Sequence, residues 1–337
     1  MWLKYRTSIF LLVSFLLLFS GFWLFPNFAF IFFISLLLQL FLSPLVKLLS
    51  KKMSRTAASI VTVLLTIVII AAGITVVSSS FLPTLRDFVE ALPDYTKQLK
   101  NLPFISENTY IAQSLDEAWS EIANISITAV TSSIGIILSM FSKLIDIVII
   151  LFVTFYLLSD GFMIQTYLVN LFPSNSSSRV AQLFDNILHS LQIYIRSQFI
   201  MCAITAVVTF VYFTIMDVKY ASVFAVMSGL AELIPVIGPT VASCFGIIFT
   251  TAYDSSLLIP TAIFYLIMTQ INHNLVYPWL IGKSLKLHPV AIILGIIFGG
   301  EILGAAGMFL AVPCIVIFKH LIEDIHQHDK ESLPKNP

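Results

Sequence analysis

The apolar run from Ala221 to Tyr253 is interrupted at its centre by G-L-A-E-L-I-P-V-I-G-P-T-V-A (Gly229 to Ala242), which sets a glutamate and a Pro-x-x-Gly-Pro break among aliphatic residues. If Ala221 to Ile234 and Pro239 to Ala252 are helical, each arm rises about 20 Å at 1.5 Å per residue. That is well short of the roughly 30 Å hydrocarbon core of a bilayer, so neither arm spans alone. Two geometries satisfy the constraint: one broken helix, or two half-helices that dip in and return. Pro235 and Pro239 lack amide hydrogens and Gly238 tolerates positive φ, so the tip is free to be non-helical in either case. Non-helical backbone at membrane depth has to be covered by protein or face a watery cavity, and an acidic residue there marks a candidate site. Glu232 is the first such candidate.

Composition places this run in context. The 337 residues are 58% hydrophobic and 11% charged, with mean hydropathy +0.97, against about 25% charged in an ordinary soluble domain. The expected class is an all-α polytopic membrane protein in contact with the lipid bilayer. Eighteen basic and 18 acidic residues cancel, and no nucleic-acid partner is expected. Cys202, Cys244 and Cys314 lie in apolar segments without C-x-x-C spacing, which predicts buried thiols and neither a disulfide framework nor a metal site.

The expected order along the chain is as follows. Three spans fill residues 1–80: Ile9 to Phe25, an uncleaved first span because no small-residue cleavage site follows it, then Phe28 to Leu49 and Ala57 to Ser80. The basic loop K-L-L-S-K-K-M-S-R (Lys47 to Arg55) belongs in the cytoplasm. Residues 81–126 form an extracytoplasmic insertion, acidic overall, with Pro83, Pro93 and Pro103 as breaks. Within it Leu82, Leu85, Phe88, Val89 and Leu92 recur at helical spacing. That amphipathic helix lies on the membrane surface, on a partner subunit, or on the protein's own bundle.

Residues 127–161 read as a long transmembrane helix ending at Ser159-Asp160-Gly161, 162–196 as a cytoplasmic connector, and 197–322 as the transport core, ahead of a charged cytoplasmic tail (323–337). In the core, Ser197 to Met216 crosses outward and Leu257 to Ile281 crosses back. Lys283 and Lys286 then fall inside only if 221–253 is a re-entrant hairpin. The last apolar run, 289–318, is interrupted by G-G-E-I-L-G-A-A-G and has lysines beyond both ends, so it too is expected to be a hairpin, dipping from the inner face. Both termini are then cytoplasmic. The two tips, E-L-I-P-V-I-G from Glu232 and E-I-L-G-A-A-G from Glu301, share a glutamate and a final glycine at equal spacing. Opposed broken helices of this kind build midplane sites in secondary transporters.

The candidate pathway therefore comprises Glu232, Pro235, Gly238 and Pro239 at the first tip, Glu301, Gly304 and Gly307 at the second, and the polar group Gln270, Asn272, His273 and Asn274 near the end of a span. A carboxylate removed from water favours its protonated form, so both glutamates are candidates to load and release protons. The plainer alternative has them capping half-helices or lying at a watery mouth. Half-helix N-termini near Pro239 and Gly307 would offer free amides to an anionic or hydroxyl-rich ligand. His288, before Pro289, is placed to cap a helix start.

Several strings together resemble the autoinducer-2 exporter (AI-2E) family of bacterial and archaeal inner-membrane proteins. They are Y-L-L-S-D-G (Tyr156 to Gly161), Y-I-R-S-Q (Tyr194 to Gln198), L-I-P-V-I-G-P (Leu233 to Pro239), P-W-L-I-G-K-S-L-K-L-H-P (Pro278 to Pro289) and G-G-E-I-L-G-A-A-G-M-F-L-A-V-P (Gly299 to Pro313). They cover about half the chain in the family's order. Ser197 stands where the family pattern carries glycine, and Glu232 where uncharged residues are common, so a role for Glu232 is not inherited. The resemblance implies a carrier that exports autoinducer-2 or, in other members, exchanges sodium for protons.

No H-E-x-x-H, G-x-S-x-G or G-x-x-x-x-G-K-[ST] motif is present, so neither an enzyme nor an ATP-driven pump is expected, and no cofactor. A channel or a membrane scaffold stays open, since a pore can use the same hairpins. The expectation is a secondary carrier of about six spans and two hairpins, working as a homo-oligomer on a small molecule or ion.

Overall fold

In the computed structural model the described residues are 24–100, 133–281, 285 and 287–331, together with positions 13, 17 and 20. Within them the ordered elements are all helical: α1 (Pro26–Leu49), α2 (Arg55–Val76), a π-helical turn (Val77–Phe81), α3 (Leu82–Lys100), α4 (Ser133–Asn170), α5 (Ser174–Ile215), α6 (Ala221–Ala231), α7 (Ile237–Tyr253), a 3-10 turn (Ser255–Leu257), α8 (Leu258–Ile271), a second π-helical turn (Asn272–Val276), α9 (Tyr277–Ile281), α10 (Pro289–Leu303) and α11 (Ala305–Glu331). The expected span Ile9 to Phe25 falls almost wholly outside the described residues, as do Lys283, Lys286, Pro103 and most of the outer insertion.

Six described helical runs are long and apolar enough to cross a membrane: Pro26–Leu49, Arg55–Tyr95, Lys143–Asn170, Ser176–Ile215, Ser255–Leu280 and Ala305–His326. The first five overlap expected spans, with Arg55–Tyr95 and Ser176–Ile215 running well beyond the expected bounds. The sixth is one arm of the expected second hairpin, and Ala221–Ala231, Ile237–Tyr253 and Pro289–Leu303 are the shorter apolar helices. The architecture is that of an all-α polytopic membrane protein.

Several boundaries differ from the sequence expectation. Residues Ser159 to Gly161 do not end a helix: α4 runs on to Asn170, and the break comes at the turn before Ser174. Residues 174–196 are not a separate connector but the first half of the unbroken α5. Neither Pro83 nor Pro93 breaks α3. Pro83 follows the π-helical turn within one continuous helical run (Arg55–Tyr95), and that widened turn accommodates its ring and missing amide. At Pro93 the helix is held on both flanks, because the rings of Phe88 and Tyr95 lie 4.8 and 6.4 Å from that of Phe249.

The chain divides into two compact units, one from Met1–Thr66, Asp146–Ser197 and Leu280–Pro337, the other from Ile67–Ile145 and Gln198–Trp279. In the first, Leu42, Val46, Ala58 and Leu158 form a buried cluster, and Thr154 Oγ1 donates to the carbonyl of Ser35. A second small cluster pairs Leu183 with Leu321. Alongside it, Arg179 of α5 makes a close pair with Asp324 of α11, Nη2 to Oδ2 2.6 Å, with Nε also donating to the carboxylate.

The second unit is built around rings. Phe88 and Val89 of α3 are buried with Phe213, Tyr220, Phe224, Phe249 and Tyr265, and Tyr212 stacks on Phe264 at 3.8 Å. The amphipathic face of α3 thus covers the protein's own bundle, which selects one of the three surfaces left open by its sequence. Helix α5 ends with Asp217 in the left-handed region (φ 54°), while the amides of Asp217 and Val218 donate back to Thr214 and Phe213. This double back-bonding satisfies the last carbonyls and turns the chain into Tyr220.

Candidate functional site

Helices α6 and α7 form an antiparallel hairpin in the second unit. Phe224 lies against Phe245 and Phe249, and at the tip Gly238 meets Ala231, where an added Cβ would fall 1.7 Å from the Ala231 carbonyl oxygen. The first arm stops at Ala231, three residues earlier than the sequence suggested. Pro235 excludes the helical conformation just before it and its ring would crowd the Ala231 carbonyl, which instead accepts from Ile234. The second arm starts at Ile237 and carries Pro239 in its first turn, where proline is tolerated.

Glu232 lies directly after α6 and is 5% exposed. Its carboxylate Oε2 accepts from Thr205 Oγ1 at 3.2 Å, and that hydroxyl in turn accepts from Asn272 Nδ2 at 3.1 Å. Gln198 Nε2 donates to the Glu232 backbone carbonyl, and Tyr277 Oη donates to Gln198 Oε1 at 3.4 Å. Gln198, Thr205 and Asn272 are themselves buried. The array therefore links α5, the hairpin tip, the second π-helical turn and α9. Among the described residues no lysine, arginine or histidine forms an ion pair with Glu232.

The sequence put Asn272 in a polar group of four, but the structure separates them. Gln270, His273 and Asn274 are exposed, with Asn274 donating to Gln270 at 2.8 Å, and only Asn272 reaches the Glu232 array. Pro235 and Pro239 are half-buried and Gly238 buried.

Glu301, Gly304 and Gly307 belong to the first unit. There α10 and α11 form a second antiparallel hairpin, in which Gly299 and Gly307 meet so closely that an added Cβ on Gly307 would lie 1.9 Å from the Gly299 carbonyl oxygen. Gly304 makes the turn at φ 58°, ψ −140°, a conformation essentially reserved for glycine. Glu301 is exposed. The arms are unequal, since α11 continues to Glu331. His288 caps α10, its Nδ1 accepting from the Val290 amide at 3.3 Å.

Gln198, Thr205 and Tyr277 were missed as candidates, although a signal was present. Gln198, Cys202, Thr205 and Thr209 recur at spacings of four, three and four, a polar stripe on one face of an otherwise apolar helix. Such a stripe faces protein or water, not lipid.

The sequence model of the family described as AI-2E family transporter matches residues 12–327. The Bacillus subtilis (strain 168) protein named "Putative transport protein YueF" is 26% identical over 295 residues, 84% of this chain and 80% of its own. "Putative transport protein YrrI" of the same organism is 29% identical over 168 residues, 50% of this chain and 48% of its own. "AI-2 transport protein TqsA" of Escherichia coli (strain K12) is 26% identical over 155 residues, 45% of this chain and 43% of its own.

Proposed function

The chain belongs to the AI-2E transporter family and is a multi-pass membrane transporter, and from that premise we propose that it is a secondary carrier that takes up its coupling cation, a proton or a sodium ion, at Glu232. The observation that carries this reading is a carboxylate 5% exposed whose one side-chain donor among the described residues is a neutral hydroxyl. An isolated buried carboxylate is costly unless a positive partner joins it, and a proton or a bound cation supplies that partner. Thr205 holds one carboxylate oxygen, Asn272 fixes the Thr205 hydroxyl so that its proton points at the carboxylate, and Gln198 steadies the tip through the Glu232 carbonyl. These residues orient the acceptor; the hairpin tip at Pro235, Gly238 and Pro239 is the element that would move as the cation arrives.

The solute proposed is a small, hydroxyl-rich organic molecule of the autoinducer-2 kind, exported from a bacterial inner membrane by alternating access without ATP. The printed name of one relative supports this. The second reading is plain cation/proton exchange with no organic solute, favoured by the same unpaired carboxylate. The deciding experiment uses purified protein in liposomes with a trapped pH dye, under sodium, potassium and proton gradients in turn. A cation-dependent proton flux present in wild type and lost in Glu232→Gln is expected, with Glu301→Gln close to wild type because Glu301 is exposed. Undiminished flux in Glu232→Gln would remove that residue from coupling. Uphill accumulation of added autoinducer-2 in the same vesicles distinguishes the solute carrier from the exchanger.

A further inference from the structure

The first unit contains a cavity of about 550 Å³ where α1 ends and α2 begins, walled on its other sides by α4 and α5. That volume is in the range of small-molecule pockets. Lys47, Arg55 and His189 line it, with the neutral donors Gln39, Ser50 and Asn186. Among the described residues none of these three basic side chains is in an ion pair. Elsewhere in this unit Arg179 is held by Asp324, and Lys319 and His320 face Glu323.

Arg55 is aimed by its own fold. Its Nε donates to the Leu158 carbonyl at 3.0 Å, which fixes the guanidinium plane and leaves the two terminal nitrogens as a fork. A fork of that kind matches two oxygens of a phosphate or carboxylate. The one acid on the wall, Asp185, accepts from Gln165 Nε2 at 2.8 Å. Leu40, Val46, Leu158 and Leu188 supply an apolar part of the lining. Two helices apolar enough to cross a membrane end and begin here, so the cavity lies at the level where a bilayer gives way to water.

We propose that this cavity binds a phosphate group, with Lys47 and the Arg55 fork as its charged partners, and that the mixed lining suits the phosphate of an anionic phospholipid. The site is independent of the transport reading. The test is thermal denaturation of the full-length protein in detergent, titrated with dihexanoyl phosphatidylglycerol or with inorganic phosphate, against sodium chloride at matched ionic strength. Three forms are compared: wild type, Lys47→Gln/Arg55→Gln, and Lys51→Gln/Lys52→Gln, which removes equal charge from the same loop but not from the cavity wall.

Saturable stabilisation by the lipid in wild type is expected, retained in the Lys51/Lys52 variant and at least about tenfold weaker in the Lys47/Arg55 variant, since two charge-assisted contacts are lost. The same pattern with inorganic phosphate at equal concentration would identify a soluble phosphate ligand for the same site. Stabilisation by neither, or equal weakening in both variants, would overturn the proposal. Should Lys47→Gln/Arg55→Gln fold poorly, Lys47→Gln alone is measured, and an affinity equal to wild type counts against the site.

Discussion

Val236 sits at φ 69°, ψ −59°, and the amide of Ile237 donates across it to the Pro235 carbonyl at 2.8 Å. This is the strained form of the γ-turn, with a β-branched side chain in a region such residues avoid. The hairpin tip that carries Glu232 therefore stores about 1–3 kcal/mol of backbone strain. Val236→Gly is expected to recover about 1 kcal/mol of it and raise the melting temperature in detergent, while slowing transport if the strain helps the tip to open. An unchanged melting temperature would mean that relief of strain at this turn does not stabilise the protein in detergent. Glu232→Gln tests a different property of the same tip: size and one acceptor oxygen for Thr205 are kept while the negative charge goes, so fold and melting temperature should hold as cation coupling disappears. The tip's chemistry and its backbone strain are thus separable by measurement.

Two helix-level devices recur. Each π-helical turn ends two residues before a proline, Phe81 before Pro83 and Val276 before Pro278. A proline ring crowds the carbonyl four residues back and cannot bond to it, and widening the preceding turn relieves both problems without ending the helix. The second such turn places Asn272 on the Glu232 array. The other device is close glycine contact in both hairpins. Gly238→Ala and Gly307→Ala should each cost about 1–3 kcal/mol or more, because the added methyl meets backbone that has no room to yield. Gly161→Ala, in an open stretch of α4, should instead gain up to about 1 kcal/mol of helix propensity. Paired thermal melts of the three variants test the contrast; destabilisation of similar size in all three would show that packing is not what selects glycine. The anchoring of α11 is also measurable. Both side chains of the Arg179–Asp324 pair keep some exposure (18% and 17%), so Asp324→Asn should cost about 2 kcal/mol, less than a fully buried pair.

For the molecule as a whole, topology follows from charge and helix length. Helix α10 rises about 22 Å and α11 about 40 Å at 1.5 Å per residue. A hairpin dipping from one side would leave the extra length of α11 projecting back out, where Lys319, His320, Glu323 and Asp324 cluster. The expectation is that the Lys47 to Arg55 loop and the end of α11 lie on one side of the membrane, the cytoplasmic one by the positive-inside bias. With Cys202, Cys244 and Cys314 replaced, Ser50→Cys and His326→Cys should both react with an impermeant thiol reagent in inside-out vesicles and neither in intact cells. Labelling of the two from opposite sides would make α11 a full crossing and dismiss the hairpin.

Much of this architecture was legible from residues in a row. Apolar runs between basic loops define spans because hydrocarbon admits no unpaired backbone. Pro235 and Gly304 mark turns because their backbone preferences are intrinsic, whereas Gly238 lies within α7 and is required by its close approach to Ala231. The strings from Tyr156 to Pro313 pointed to the family whose sequence model matches residues 12–327. Sequence also marked Glu232, since a carboxylate in an apolar run is conspicuous. What it could not supply was the company that residue keeps. Gln198, Thr205, Asn272 and Tyr277 come from segments up to 79 positions apart and meet through packing of α5 against the hairpin and the π-helical turn. Nor could it tell that Asn272 turns inward while Gln270, His273 and Asn274 do not, because a widened turn rotates each side chain by an amount no regular helical period predicts. Charge and hydropathy act residue by residue and survive in the sequence, whereas the polar array exists only once distant faces exclude water together.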